Sequence, residues 1–512
     1  MRIPELPYNM SPNKMEIVQM RGINWSDNLR DGDLRDSLNL SARRWPYITT
    51  RKGRVKQTAY QNVTALTAWD KLVAVQGTSL LYDGRVVGTV TAGKKQFAVV
   101  NTKMVIWPDK VYLDITSRSV KPLAASLTGS KATFTKNKMT VAGWTNLTTK
   151  FKAGDGITIS GCTTKTENNK DIVIKSVTAT EITVADNTFT EATEASTAIK
   201  LERKIPDLDF ICESENRLWG CDNTTQTIYA SALGDPTNFF VYEGVSTDSY
   251  ALAVGTDGQF TGCCKLSSSV LFWKETKLHK MLGGYPAEYA MYTYEMEGLQ
   301  SGCHKSQQVI NDTLFYKGPH GVYAYSGGTP TLISENFGEK EFTDAVGGND
   351  GDSYYLSVKD GAAYRLMVYE TKTGIWVLED DTEAVDFARI GKTLYMLDGD
   401  GNVRLLDSAD TPQTQPWMLQ FAPMYEMLNG KKAYSKIMIR MELPQGSYMI
   451  AKVRCDGKPW QECGRVVGRD FNVSTMRLSA NRCDKFELRM EGSGPCTILG
   501  ITREFIVGSD VK

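Results

Sequence analysis

One run of oxygen-bearing side chains has the spacing of a metal site. Asp398-Gly-Asp400-Gly-Asn402 matches the first half of a calcium loop, in which spaced carboxylate and amide oxygens surround one cation. The second half does not match, because Val403 stands where glycine is needed and Ala409 where the bidentate glutamate is needed. The pattern therefore favours an Asp-Gly hairpin turn, and we interpret Asn349-Asp-Gly-Asp352 in the same way.

Paired carboxylates could hydrolyse a glycosidic bond. The densest acidic cluster is Glu379-Asp380-Asp381. A glycosidase needs two carboxyl groups that face each other across a sugar, whereas neighbours on a strand point to opposite faces of the sheet. We interpret the cluster as a solvated hairpin end. The histidines His304 and His320 have no obvious nucleophile partner, and the sequence predicts no catalytic, cofactor-binding or metal-binding residues and no cofactor.

Cysteine chemistry is a further possibility, since the chain has ten cysteines. They lie at positions 162, 212, 221, 263, 264, 303, 455, 463, 483 and 496. No C-x-x-C pair occurs, so the usual zinc and redox spacings are absent. We interpret the cysteines as reduced, buried thiols, with disulfides or metal ligation as the alternatives.

Three short basic clusters could contact anions: Arg43-Arg44, Arg51-Lys52-Gly-Arg54 and Lys431-Lys432. The segment 411–512 has 15 Lys and Arg against 10 Asp and Glu, a net charge of +5. Such residues can form an electropositive face that meets DNA phosphates non-specifically or binds an acidic partner. Solvated strand faces are the favoured interpretation.

Composition limits the functional classes. The chain has 512 residues, with 59 Lys and Arg balanced by 59 Asp and Glu, which excludes binding of nucleic acid by bulk positive charge. The mean hydropathy is −0.31, and no apolar run approaches the roughly 20 residues of a membrane helix. The first residues have no apolar stretch of the secretory type, so we expect no signal peptide and no membrane insertion.

Short β-prone runs between turn residues dominate the chain, as in 72–75, 97–106, 270–273 and 314–316. Hairpin-like units recur at roughly 30–45 residues, with about seven candidates between residues 58 and 410, a pattern typical of propeller blades. Irregular β-meanders are the alternative. Only Asp33 to Leu38 and Glu335 to Glu341 are predicted as short helices.

The predicted fold is all-β: a β-propeller with an inserted small β domain and a C-terminal β-sandwich. The insertion is the stretch 121–204, since 121–200 contains 18 threonines and only four aromatic residues. Strict alternation in the last hundred residues indicates the sandwich. The predicted domains are 1–57, closing or joining the propeller; 58–120, blades; 121–204, insertion; 205–410, further blades; and 411–512, sandwich.

Several segments together resemble phage tail hub, or nozzle, proteins of the packaged-DNA stabilisation family of short-tailed phages. The most specific are Asn216-Arg-Leu-Trp219 and Thr227-Ile-Tyr-Ala-Ser-Ala-Leu-Gly-Asp-Pro-Thr-Asn-Phe239. Similar segments are Asp31 to Leu40 followed by Trp45-Pro46 and Thr50-Arg51, and Phe315 to Tyr323 followed by Gly327-Gly328 and Ile333-Ser334. The run Ala153 to Gly161, followed by Asn168-Asn169, resembles a module of phage structural proteins.

The resemblance implies a structural role and no enzyme activity. It implies a homo-oligomeric ring, typically a hexamer, that extends and closes the DNA channel below the portal and its adaptor and supports DNA retention and ejection. The implied partners are the head-tail adaptor, other tail proteins such as fibres or a spike, and passing double-stranded DNA. The implied location is the virion tail, after assembly in the host cytoplasm. A receptor- or glycan-binding tail propeller is the alternative, and a glycan-degrading tail enzyme is a weaker one.

Overall fold

The computed structural model describes residues 12–195, 198–408, 415–426, 428–478 and 482–507, which are almost entirely strands and turns. Two compact units divide the chain: Val63–His304, and Met1–Asn62 together with Lys305–Lys512. The described helices are five 3-10 turns: Leu147–Thr149, Thr166–Asn168, Pro286–Glu288, His304–Ser306 and Glu335–Phe337. Nowhere in the described ranges is a helix long and apolar enough to cross a lipid bilayer.

The unit Val63–His304 contains four blades, which are four-stranded antiparallel sheets with their strands in chain order. Blade 1 is Val63–Ala68, Leu72–Gln76, Ser79–Tyr82 and Arg85–Thr89; blade 2 is Gln96–Val100, Lys103–Trp107, Val111–Asp114 and Ser119–Pro122. Blade 3 is Phe210–Ser214, Arg217–Asp222, Thr227–Ala230 and Tyr250–Ala253; blade 4 is Gly262–Leu266, Ser269–Trp273, Lys277–Leu282 and Ala290–Glu295. Asp83 and Gly84, both at positive φ, make the two-residue turn that joins the last strands of blade 1.

Successive blades of this unit share hydrophobic clusters. Val75 of blade 1 and Met104 of blade 2 lie in one cluster, and Trp219 of blade 3 and Phe272 of blade 4 lie in another. Because side chains alternate along a strand, a blade can present apolar residues to a neighbour on either face. Face-to-face burial of this kind is what a propeller repeat requires.

Two small sheets form the predicted insertion between blades 2 and 3. One sheet is Ala125–Gly129, Ile199–Arg203, Gly156–Ser160 and Asp171–Val173; the other is Ser176–Val177, Glu181–Thr183, Lys138–Val141, Ala132–Thr135 and Ala192–Thr193. They enclose their own apolar cluster, which includes Phe134, Phe151 and Phe189. A separate core of this kind is the physical basis for an inserted domain.

The second unit contains three further four-stranded sheets. Blade 5 is Gln308–Ile310, Thr313–Gly318, Gly321–Tyr325 and Thr331–Leu332; blade 6 is Thr343–Asn349, Ser353–Asp360, Ala363–Glu370 and Ile375–Asp380. Blade 7 is Ala384–Ile390, Thr393–Asp398 and Val403–Ser408, completed by Gly53–Lys56 from the N-terminal stretch. We call Gly53–Lys56 the closing strand. Seven meander sheets confirm the predicted all-β propeller class.

The same unit contains the predicted β-sandwich. One sheet has the strand order Leu40–Ser41, Ile48–Thr50, Thr497–Val507, Lys432–Leu443 and Asp470–Arg477. In the same sheet, Asn13–Ile17 pairs with Thr497–Val507, and Arg482–Cys483 pairs with Lys432–Leu443. The other is Gly22–Ile23, Asp33–Leu38, Pro416–Phe421, Phe486–Ser493, Tyr448–Cys455 and Gln461–Val467. Buried residues such as Ile437, Ile439 and Met441 alternate with more accessible ones, as the sequence pattern predicted.

The described N-terminal stretch contributes one strand to the propeller and several strands to the sandwich. We predicted that 1–57 closes or joins the propeller. Among its described residues, Gly53–Lys56 does pair with blade 7, while the strands between 13 and 50 extend the two sandwich sheets. The predicted short helix at 33–38 is wrong, because Asp33–Leu38 is a strand paired with Pro416–Phe421. Pairing with an open sheet edge satisfies its backbone groups, and this outweighs local preference.

Candidate functional site

The acidic cluster at 379–381 lies beside the closing strand and is not a solvated hairpin end. Arg54 of the closing strand donates to Glu379 at 2.6 Å and lies 2.8 Å from a carboxylate oxygen of Asp380. Arg51 approaches the same two carboxylates at 3.9 and 3.6 Å. Both guanidinium groups and Glu379 are buried, so the prediction of solvated faces is wrong for these residues. Only Asp381 is exposed, paired with Arg365 at 3.1 Å.

Burial and the arginines act in opposite directions on these carboxyl groups. Burial raises the pKa of Glu379 above its ordinary value, although Arg54 and Arg51 oppose this effect. Burial also opposes ionisation of Asp380, but Arg54, the Thr382 hydrogen bonds and Arg51 outweigh it and hold the pKa of Asp380 below its ordinary value. The cluster thus stabilises the closing strand, and it lacks the two free facing carboxyl groups of a glycosidase.

A third arginine, Arg43, also joins the N-terminal stretch to blades 6 and 7. Its guanidinium group pairs with Asp350 and Asp407 and lies 3.7 Å from Glu370. It also donates to the Tyr355 hydroxyl at 2.7 Å. Together with Arg51 and Arg54, it gives three residues of the N-terminal basic clusters a structural role, whereas Arg44 pairs with Glu442 at the surface and Lys52 is exposed.

The calcium-like run lies in a hairpin turn, as predicted. The Asp398 carboxylate accepts from the backbone N–H of Asn402 at 2.8 Å and from Nε of Arg404 at 2.7 Å. These bonds engage both carboxylate oxygens of Asp398, the first ligand position of the calcium-loop pattern. Ala409 lies outside the described residues. A polar cleft of about 610 Å³ lies beside the turn, lined in part by Arg51, Arg54, Asp380, Asp398, Asp400 and Arg404. Within the described ranges, no group of three or more His, Cys, Asp and Glu residues is placed to hold a metal ion.

His279, which the sequence did not single out, is the most deeply buried histidine. Its two ring nitrogens each lie 2.9 Å from a threonine hydroxyl, those of Thr256 and Thr293. Burial, together with Lys274 and Lys277, lowers the pKa of His279 to about 4. The imidazole is therefore neutral near pH 7. Of the other histidines, His304 packs on Phe210 with ring centroids 5.2 Å apart, and His320 is exposed in its turn.

The remaining basic and thiol groups are structural too. Lys432 is fully buried and donates to the carbonyl oxygens of Tyr425 and Leu428 at 3.0 and 2.9 Å, and to Asp484 at 2.9 Å. All ten cysteines are free thiols, six of them buried. Burial raises the pKa of Cys496 to about 12, which keeps this thiol protonated and unreactive.

A buried polar cluster holds the insertion against blade 3. Asp155, fully buried, accepts from Arg203 at 2.6 Å and from the amide of Asn238 at 3.0 Å. The side-chain oxygen Oδ1 of Asn238 accepts from the backbone N–H of Gly156 at 3.3 Å. A side chain at Gly156 would place its Cβ 2.2 Å from the Phe240 carbonyl oxygen, so the two backbones touch here. We call Asp155, Gly156, Arg203 and Asn238 the insertion anchor.

The residues that carry the family resemblance build the surroundings of this anchor. Asp235 pairs with Lys152 at 2.5 Å and Lys103 at 3.4 Å, and it accepts from Thr237 at 2.7 Å. Burial opposes its ionisation, but Lys152, Lys103 and Thr237 hold the pKa of Asp235 well below its ordinary value. The side chains from the Gly-Asp-Pro-Thr-Asn run thus hold the loop and the insertion in place.

Arg217, in the first resembling segment, is buried and bonded to backbone oxygens. It donates to the carbonyls of Ser231 at 2.8 Å and Ser246 at 2.6 Å, and also to that of Asp248. The Asp248 carboxylate in turn accepts three backbone N–H groups of residues 243–245. The sequence indicated this motif but not its contacts, since the carbonyl acceptors carry no side-chain signal.

No family model and no curated protein matches the chain. Among solved structures, an exo-beta-1,3-galactanase from Phanerochaete chrysosporium with galactose is similar at 7% identity and a TM-score of 0.21, covering 56% of this chain and 92% of that one. Kluyveromyces lactis Hsv2 is similar at 13% identity and 0.28, covering 40% and 61%. BBS1N in complex with ARL6DN is similar at 10% identity and 0.31, covering 71% and 99%. These likenesses transfer no activity to the chain.

Proposed function

We propose that the chain is a structural subunit of a bacteriophage tail hub or nozzle. Several copies, about six by the resemblance, form a ring that extends the DNA channel below the portal and its adaptor. The ring helps to retain the packaged DNA and to release it at ejection, and it contacts duplex DNA non-specifically. Its protein partners are the adaptor and the fibre or spike proteins. Copies assemble in the host cytoplasm and remain in the virion tail.

The observation that carries this proposal concerns the segment 216–239, which carries the family resemblance. Its polar side chains contact other parts of the protein. Arg217 donates to backbone carbonyls, Asp235 pairs with lysines, and Asn238 belongs to the insertion anchor. A catalytic motif would instead direct acidic or nucleophilic groups into an open cleft. The chemistry of the segment therefore supports a protein whose task is to hold a shape.

The acidic cluster supports the same conclusion. Glu379 and Asp380, the pair considered for glycan hydrolysis, are engaged by Arg54 and Arg51. Both carboxylates therefore form ion pairs within the protein, next to the closing strand. We therefore do not propose a glycan-degrading enzyme.

The test is the oligomeric state of the purified full-length chain. Native mass spectrometry and negative-stain microscopy should show rings of about six copies, alone or with the adaptor. A chain that stays monomeric at micromolar concentration both alone and with the adaptor would contradict the proposal. Glycan turnover by the wild-type chain, lost in Glu379→Gln, would contradict it independently.

Glycan or receptor binding is a second candidate, supported by exposed aromatic side chains on blade 4. Tyr292 and Tyr294 lie two residues apart on the strand Ala290–Glu295, so they share one face, and both are exposed. Tyrosine rings in this arrangement can stack on sugars. Retention on host cell wall that is lost in Y292A/Y294A but kept in Tyr242→Ala, at another exposed tyrosine, would favour this function.

A further inference from the structure

The strand Asp470–Arg477 forms an edge of the sandwich. Within the described residues it pairs only with Lys432–Leu443, so the hydrogen-bonding groups of its other edge are open to a partner. Phe471 and Val473 are 58% and 59% exposed on this strand. An open edge with exposed apolar side chains promotes association, and folded proteins normally cover such an edge.

Unpaired arginines surround these apolar side chains. Arg440 lies directly opposite Val473 in the register, and Arg477 lies on the same face because it is four residues further along the strand. Arg469 lies just before the strand. All three arginines are exposed, and in the part of the chain that the structure describes they form no ion pair. We call Arg440, Arg469, Phe471, Val473 and Arg477 the basic edge face.

Acidic side chains on the neighbouring strands do not neutralise this face. Glu442 pairs with Arg44 at 2.6 Å. Glu504, one strand further, pairs with Lys436 at 3.0 Å. The exposed Asp470, next to Arg469, offsets one charge, so the three arginines leave a net positive charge that is available to an external partner.

The same unit has a complementary acidic segment between blades 5 and 6. Glu335, Glu339 and Glu341 are exposed, and among the described residues none of them forms an ion pair. The intervening Lys340 is already engaged, since it pairs with Asp360 at 2.8 Å and lies 4.6 Å from the Trp25 ring centroid. We call Glu335, Glu339 and Glu341 the acidic loop.

We infer that the basic edge face of one copy binds the acidic loop of a second copy. This inference rests on the proposed ring and names the contact that forms it. Two different patches that pair between copies make a heterologous contact, which closes into a ring when the rotation allows. An apolar centre rimmed by arginine is typical of protein interfaces. Duplex DNA is the less suitable occupant, because phosphates gain nothing from exposed Phe471 and Val473.

The experiment reverses each patch in the full-length chain. One variant is R440E/R469E/R477E, and the other is E335K/E339K/E341K. Each alone brings like charges together and should raise the concentration needed for ring formation on the order of 100-fold. An equal mixture of the two should restore rings in which the variants alternate, because every contact in such a ring joins a reversed patch to a reversed patch or a native patch to a native one.

The control variant K94E/K131E/K136E changes the net charge by the same amount as R440E/R469E/R477E at three exposed lysines elsewhere, and it should keep the ring. Circular dichroism and melting temperature verify that each variant is folded. Rings that persist in both reversed variants overturn the inference and leave the proposed function intact. Failure of the mixture to restore rings also overturns it. So does loss of duplex DNA binding by R440E/R469E/R477E without loss of the ring. A wild-type chain that never forms rings overturns the proposed function together with the inference.

Discussion

Mild acid should loosen blade 4 around His279. This imidazole is fully buried between Thr256 and Thr293, and burial together with nearby lysines lowers its pKa from 6.5 to about 4. In the unfolded chain the pKa returns to its ordinary value of about 6.5. Between these two values the unfolded chain binds a proton that the folded chain does not, so stability falls as the pH falls.

The size of the effect follows from the two pKa values. A difference of about 2.5 units corresponds to roughly 3 kcal/mol once the pH is below both values. At about pH 5 the loss relative to neutral pH is ~2 kcal/mol, since the unfolded state is almost fully protonated and the folded state hardly at all. The loss begins near pH 6.5, which distinguishes it from the titration of carboxylates.

The assay is amide hydrogen exchange of the strands Ser269–Trp273 and Lys277–Leu282 across this pH range, corrected for intrinsic exchange rates. His279→Gln should lower the opening free energy at neutral pH by about 1 kcal/mol through loss of one hydrogen bond, but it should flatten the dependence on pH. His320→Gln, in an exposed turn, should retain the wild-type dependence. An equally steep fall in His279→Gln would refute the reasoning.

Three further predictions concern the closing strand and the insertion. Arg54→Met leaves Glu379 buried without its closest partner, so blade 7 should lose about 3 kcal/mol, seen as faster hydrogen exchange of the closing strand. Gly156→Ala pushes a Cβ against the Phe240 carbonyl and should cost about 1–3 kcal/mol, seen as earlier proteolysis of the insertion. The Glu194 carboxylate accepts three backbone N–H groups, which outweigh the effect of burial and lower its pKa to about 2. The insertion should therefore lose stability as the pH falls from about 4.5 to 2, and Glu194→Gln should remove this loss.

Each of these predictions has a matched control. Lys372→Gln breaks a pair exposed on both sides and should change stability by less than about 0.5 kcal/mol, in contrast to Arg54→Met. Gly255→Ala meets no atom within 4 Å and should be silent where Gly156→Ala is not. Glu181→Gln changes a partly exposed carboxylate of the insertion, paired with Lys138, and should leave its acid transition in place. Equal effects in a variant and its control would contradict the corresponding argument.

The local sequence pattern was sufficient to predict the sheets of the propeller and the sandwich. Alternation at 436–440 and the Asp83-Gly84 turn specify a strand and a hairpin through nearby residues alone. The separate core of the insertion was also foreseeable, because its composition changes abruptly at both ends. These features depend on interactions within a few tens of residues.

Partners far apart in sequence could not be predicted in this way. Arg54 and Glu379 are 325 residues apart, and each alone resembles a solvated charge. Asp33–Leu38 becomes a strand only because Pro416–Phe421 offers it an edge. Side-chain type does not encode which distant edge or charge will be nearby, so burial of the ion pairs and the use of the N-terminal strands emerge only in three dimensions.

Blade 7 and the sandwich each combine strands from early and late parts of the sequence, and this affects how the protein folds during synthesis. Residues 63–304 form a contiguous unit that can fold while the ribosome is still translating, since all its strands pair within that stretch. Gly53–Lys56, although made early, must wait for Val403–Ser408, and Ile48–Thr50 must wait for Thr497–Val507. Completion of the second unit is therefore delayed until Thr497–Val507 has been translated, and a product that terminates earlier would expose unpaired strands instead of assembling.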